Sequence, residues 1–209
     1  MKIALFISAA VCAYVITGLN PAIILSKLVY HKDIRTCGSG NPGFTNFKRT
    51  FGGKLSWVVM LIDLLKAAIV VGVFAYLFYL ESGYFQLGAA YTGLFCMLGH
   101  AYPVWYKFKG GKGFLVYMSI ILFVDWIAFL VACAVLALLI FTTKYMSLST
   151  MCAVASSVIV MFFTKAHMGA IIACAAMVLF IIIRHHENIK RLFQGTERKF
   201  YFSSKNKLP

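Results

Sequence analysis

Seven stretches of this sequence, at 3–25, 55–80, 84–104, 113–124, 126–142, 148–164 and 166–184, are dominated by apolar and small side chains. A soluble core has no use for so many. About 20 apolar residues in a helix cross the hydrocarbon layer of a bilayer, so most of these runs predict transmembrane helices. The runs at 113–124 and 148–164 are shorter and predict short or tilted spans. Asp125 is costly at mid-bilayer and cheap at an interface, so it divides 113–142 into two helices. Hydrophobic residues are 62% and charged residues 12% of the chain, against soluble norms of about 45–50% and about 25%. The predicted fold class is an all-α polytopic integral membrane protein with seven transmembrane helices, forming a single domain over 1–209. No internal repeat, low-complexity tract or second domain is visible. The first run follows a lone Lys2, lacks a small-residue cleavage site and is long enough to span, so it is read as helix one and not as a signal peptide.

Charge sets the predicted orientation. Of the 20 Lys and Arg residues, 17 fall in 26–54, 105–112, 143–148 and the tail 184–209. Lys2 and Lys165 fall on the other side, and Lys66 lies within a span. The positive-inside rule makes the first set cytoplasmic, with the N-terminus outside and the C-terminus inside. The net charge of +14 belongs to those loops and does not point to nucleic acid. Cys12, Cys37, Cys96, Cys133, Cys152 and Cys174 lack CxxC spacing and read as small buried hydrophobes, neither disulfides nor a zinc site.

The same cytoplasmic loops hold the unusual polar sequence. Gly38-Ser39-Gly40-Asn41-Pro42-Gly43 matches GxGxxG literally, but with no preceding strand it is no dinucleotide fingerprint. Its glycines permit positive φ and let successive amides converge on an anion. Thr45, Asn46 and Arg49 follow with a hydroxyl, an amide and a bidentate cation suited to phosphate. Phe108-Lys109-Gly110-Gly111-Lys112-Gly113 repeats the logic ahead of a helix N-terminus. Arg184, His185, Asn188 and Arg191 cluster where the last run ends, with His185 and Asn188 on one helical face. Each segment alone also fits a plain basic loop or a juxtamembrane helix facing anionic lipid. Two anion nests on one side predict a substrate with two phosphates, or two phosphorylated substrates.

Asp63 and Lys66, three residues apart inside a span, predict a buried ion pair near the cytoplasmic end. His100, between Gly99 and Pro103, is placed to orient a loop. The sequence has no HxxxxD dyad, no GxSxG elbow and no DxD-type carboxylate pair. No metal and no cofactor are expected.

Three segments, GSGNPGFTNFKR at 38–49, GHAYPVWYKFKGGKG at 99–113 and RHHENIKRLFQGTERK at 184–199, resemble the bacterial acyl-phosphate:glycerol-3-phosphate acyltransferases of the PlsY type. The Asp63–Lys66 spacing and YMSLS at 145–149 fit the same family. Phe44 stands where the family commonly has Ala, and Lys144 where it commonly has Arg. The resemblance implies transfer of a fatty acyl group from acyl phosphate to the sn-1 hydroxyl of glycerol 3-phosphate, giving lysophosphatidic acid and phosphate at the inner face of the bacterial plasma membrane. It also implies a functional link to the enzyme that makes acyl phosphate.

On that resemblance the residues divide into two groups. Ser39, Gly40, Asn41, Gly43, Thr45, Asn46 and Ser147 are expected to bind acyl phosphate. Arg49, Lys109, Lys112, His185 and Asn188 are expected to bind glycerol 3-phosphate, with His185, Lys112 and Arg49 catalytic. Acyl phosphate carries a good leaving group, so the chemistry needs charge neutralisation and a placed hydroxyl more than a strong acid. The proton acceptor is either His185 or a substrate phosphate oxygen. The competing class is a transporter of an organic phosphate, which also uses basic loops and helix ends aimed at an anion.

Overall fold

The computed structural model of the chain describes residues 2–202. Met1 and the end of the predicted tail, 203–209 with Lys205 and Lys207, lie outside the described residues. Among the described residues every regular element is helical: α1 (Lys2–Gly18), α2 (Pro21–Tyr30), α3 (Phe44–Phe51), α4 (Leu55–Ser82), α5 (Phe85–Ala101), α6 (Phe114–Val124), α7 (Trp126–Thr143), α8 (Met146–Phe163), α9 (Met168–Arg184) and α10 (His186–Phe193), with short 3-10 turns at Ile34–Thr36 and Val104–Tyr106. All seven apolar runs are helical. Four segments are long and apolar enough to cross a membrane by themselves: Lys2–Tyr30, Leu55–Ser82, Trp126–Thr143 and Met146–Phe163. A fifth results if α9 and α10, bent by 58° at His185, count as one.

The first run is longer than its apolar stretch and is broken. Pro21 has no amide to continue the α1 ladder and instead opens α2, which Asn20 caps by accepting from Ile23 N at 3.0 Å. Asp125 divides the middle run as expected: it ends α6 and caps α7 by accepting from Ala128 N at 3.0 Å. It is buried there, hydrogen-bonded by the Thr164 hydroxyl. The structure adds two amphipathic helices, α3 and α10, inside segments read from sequence as loop and tail.

Short α6 is the centre of the bundle. Val116, Tyr117, Ile120 and Ile121 are fully buried, and α6 packs on α4, α5, α7, α8 and α9. Helices α4 and α7 flank it. Where helices approach closely, small residues and hydroxyls do the work, as lipid supplies no hydrophobic drive between helices. Thr17 on α1 donates to Cys96 O on α5 at 2.9 Å. All six cysteines are free.

Candidate active site

The first site element is the loop ahead of α3, whose shape is held by Asn46. Its Oδ1 accepts from Ser39 N at 2.9 Å and its Nδ2 donates to Cys37 O at 2.9 Å. Gly38 sits against this amide with φ +59°, where a Cβ would lie 2.2 Å from Asn46 Oδ1. Asn46 thus staples the loop, and it also lines the cavity, where its Oδ1 keeps a second lone pair. Gly40 does not line the cavity, and its amide donates to Cys37 O at 2.9 Å. Ser39, Asn41, Gly43 and Thr45 do line it. The start of α3 has no side-chain cap on Gly43, so its first turn brings the positive end of a helix dipole to the cavity wall.

The second element, the 108–113 turn, is not the backbone nest that its glycines predict. Gly110 N donates to Ala101 O and Gly111 N to His100 O, each at 3.1 Å. Arg184 clamps the turn from α9, donating to Gly110 O at 3.1 Å and Gly111 O at 3.0 Å. What the turn delivers is Lys112, whose ammonium donates to Asn188 Oδ1 at the cavity. Lys109 is exposed and does not line the cavity, so its expected contact with glycerol 3-phosphate is not supported.

The third element is the bend between α9 and α10. It brings His185 and Asn188, both buried, to the same cavity. A carbonyl can only accept, so the 2.8 Å contact of His185 Nδ1 with Ile181 O puts the ring hydrogen on Nδ1 and leaves Nε2 as the free acceptor. Burial first, and then the Lys112 charge, lower the His185 pKa to about 4. Lys112 is lowered to about 8, chiefly by burial and then by Arg191.

Sequence reasoning missed the group at the centre of these contacts. Glu197 accepts from Ser147 Oγ and Asn188 Nδ2, each at 2.7 Å, and from Arg191 Nε at 2.8 Å. Burial works against this carboxylate, but the bonds from Asn188, Ser147 and Arg191 outweigh it and hold its pKa below the usual value. Two signals were available: it is one of two acids in a strongly basic tail, and it lies in the 184–199 segment that carries the resemblance. The tail continues over the site: Arg49 Nη2 donates to Arg198 O at 2.8 Å, and Phe200 N donates to Lys144 O at 2.7 Å. Phe44, the departure from the family pattern, packs on Trp57 and Phe200 with ring centroids 5.2 Å and 6.0 Å away.

Ser39, Asn41, Gly43, Thr45, Arg49, Lys112, Ser147, His185 and Asn188 thus meet around one cavity of about 380 Å³. Its far wall is apolar, built from Met60 of α4, Leu115 of α6, and Leu136 and Ile140 of α7. The family described as Glycerol-3-phosphate acyltransferase matches residues 7–195. The chain belongs to that family. A Syntrophotalea carbinolica glycerol-3-phosphate acyltransferase is 39% identical over 188 residues, covering 90% of this chain and 94% of its own. One from Bartonella quintana is 35% identical, covering 93% and 92%. The fold is similar to crystal structures of PlsY (YgiH), an integral membrane glycerol 3-phosphate acyltransferase. Its glycerol 3-phosphate form has a TM-score of 0.85 at 29% identity, covering 94% of this chain and 96% of that one. Its lysophosphatidic acid form has a TM-score of 0.82 at 28% identity. The family and the integral membrane fold are those the three polar segments implied.

Proposed function

We infer that the chain transfers an acyl group from acyl phosphate to the sn-1 hydroxyl of glycerol 3-phosphate, releasing lysophosphatidic acid and phosphate. The observation that carries this reading is one cavity with two cationic or amide-rich arms and an apolar wall. The α3 end, with Ser39, Asn41 and Thr45, takes the acyl phosphate, and its tail lies along Met60, Leu136 and Ile140. Lys112, Asn188, His185 and Arg49 take glycerol 3-phosphate. The hydroxyl attacks the acyl carbon, the bond from that carbon to the phosphate oxygen breaks, and phosphate leaves. His185 Nε2 orients the hydroxyl. With a pKa of about 4 it is a poor proton sink. A phosphate oxygen, whose second pKa is about 6, takes the proton more readily. A transporter is disfavoured because the cavity floor rests on α6, whose Val116, Tyr117 and Ile120 are fully buried. Purified protein in detergent, given labelled glycerol 3-phosphate and acyl phosphate, is expected to form lysophosphatidic acid, and no lipid-soluble product would refute the assignment.

In this reading the seven apolar helices are seven crossings of the bacterial plasma membrane, with the N-terminus outside and the site on the cytoplasmic face. A cysteine introduced near Gly83, in a background lacking Cys37, is expected to react with an impermeant thiol reagent from outside. One near Gly110 is expected to stay unlabelled, and the reverse pattern would invert the topology.

Two further outcomes follow from the cations. Arg49→Lys keeps the charge and loses the guanidinium fork, so kcat/KM should fall roughly tenfold or more in well-folded protein. Unchanged kinetics would return Arg49 to the solvated rim. Lys112 binds phosphate only when protonated, and its charge is lost as pH rises through about 8. The KM for glycerol 3-phosphate should therefore climb above that pH. Lys112→Arg should flatten the rise, and a flat wild-type profile to pH 10 would remove Lys112 from the site.

A further inference from the structure

A chain of buried polar contacts runs beneath the cavity and joins the two loops that carry its arms. It starts at the break in the first span, where Leu19 O lies between the α1 and α2 ladders. In a bilayer such a carbonyl needs a donor. Lys66 Nζ supplies one at 2.8 Å. The next residue, Asn20, is 1% exposed and uses both ends of its amide. Oδ1 caps α2, and Nδ2 donates to Pro42 O at 3.0 Å, tying the 38–43 loop to the break. Lys66 Nζ also lies 2.7 Å from Asp63 Oδ1, a contact between charges with no aligned hydrogen bond on that oxygen. Its third neighbour is His100 Nδ1 at 3.3 Å. An ammonium only donates, so His100 accepts through Nδ1 and carries its hydrogen on Nε2. That nitrogen packs on Gly111, where a Cβ would lie 2.2 Å away. His100 O then accepts from Gly111 N at 3.1 Å. The path is continuous from Pro42 through Asn20, Leu19, Lys66 and His100 to Gly111, the residue before Lys112.

Stability alone does not account for this cluster. Asp63 and Lys66 are buried within an apolar helix. Such pairs are costly to bury, and replacing one by matched apolar side chains is often neutral or stabilising. Asp63 and His100 line the cavity yet lie among none of the phosphate-binding groups assigned above. The contacts instead set one distance: that between the loop holding one substrate and the turn holding the other. Transfer depends on that distance, since misplacement by about 1 Å can cost about 100-fold in rate.

We propose that Asn20, Lys66, Asp63 and His100 form a positioning strut that fixes the acyl-phosphate loop relative to the turn carrying Lys112. The proposal rests on the two-substrate reading above. Two variants test it. Asn20→Ser keeps an oxygen to cap α2 but is too short to reach Pro42 O. Asp63→Asn keeps the shape and removes the counter-charge of Lys66. Glycerol 3-phosphate sites in purified protein are counted by titration calorimetry, so that unfolded material drops out, and turnover is expressed per site. Turnover per site is expected to fall tenfold or more in each variant, with Kd for glycerol 3-phosphate within about threefold of wild type, because each loop remains intact. If Asp63→Asn does not fold, Asn20→Ser decides alone. Unchanged turnover per site would overturn the strut. So would a Kd that rises in step with the lost turnover, as the cluster would then merely support the Lys112 turn. Wild-type protein that forms no lysophosphatidic acid would overturn the functional reading, and the strut with it.

Discussion

Glu197→Gln is expected to cost at least about 100-fold in kcat/KM and to lower the thermal midpoint by on the order of 5 °C or more. The carboxylate is buried and accepts from Ser147, Asn188 and Arg191, all at the mouth of the site. A glutamine keeps one acceptor oxygen but turns an NH2 toward a second donor, and it leaves Arg191 without its counter-charge. Arg191 is 34% exposed, so losing its counter-charge costs less than the roughly 3 kcal/mol of a fully buried pair. The consequence for activity is positional, since Asn188 also contacts the Lys112 ammonium. Glu197→Asp retains the charge one methylene short and should recover part of both losses. A different result carries its own meaning. A lower KM for glycerol 3-phosphate in Glu197→Gln would show that the carboxylate competes with phosphate for Ser147 and Asn188. Unchanged midpoint and kinetics would make the tail contact dispensable.

The segments of this fold were legible because lipid leaves few options: a run of apolar residues must be helical, and a charge within it must end the run or find a partner. Asp125 does the first, and Asp63 with Lys66 the second. The break at Leu19 and Asn20 had a local signal, the Asn-Pro pair at 20–21, but the surrounding apolar residues masked it. Composition likewise hid α3, whose polar face makes a short amphipathic helix resemble a loop, whereas the shared helical face of His185 and Asn188 already marked α10. At the site, the residue types were readable and the use of their backbones was not. Glycine pairs at 110–111 announce conformational freedom. Whether the freed amides face an anion or the carbonyls of His100 and Ala101 depends on where α5 ends. That Asn46 also staples the loop was hidden for the same reason: its partners, Ser39 and Cys37, are close in sequence but their geometry is fixed by the whole loop. Asn188 and Arg191 lie nine and six residues from Glu197, but its contact with Ser147 joins residues 50 apart, and only the fold brings those two together.

The donor should be acyl phosphate and not acyl-CoA, and the reason is the size and wall chemistry of the cavity. At about 380 Å³ it lies at the small end of ligand sites. Its polar end is built from single-phosphate donors: Ser39, Asn41, Thr45 and the first turn of α3. A coenzyme A nucleotide needs an extended surface for its adenine and diphosphate, and the tail backbone already occupies Arg49 Nη2 and Lys144 O at the rim of the cavity. A thioester also has a poorer leaving group, and this site has no strong base to drive the hydroxyl, given the low His185 pKa of about 4. Labelled glycerol 3-phosphate with each donor, scored by lipid-soluble label, should show acyl-CoA turnover below about one hundredth of that with acyl phosphate, a difference of more than about 2.7 kcal/mol in transition-state stabilisation. Inorganic phosphate should inhibit competitively against acyl phosphate by occupying the α3 end. Thr45→Val, which keeps the side-chain shape and removes the hydroxyl, should weaken that inhibition several-fold, as expected for one lost charge-assisted hydrogen bond. Equal use of both donors would mean that the acyl carbonyl is activated from the glycerol 3-phosphate arm alone. Phosphate inhibition unaffected by Thr45→Val would move the leaving phosphate away from α3 and toward Ser147.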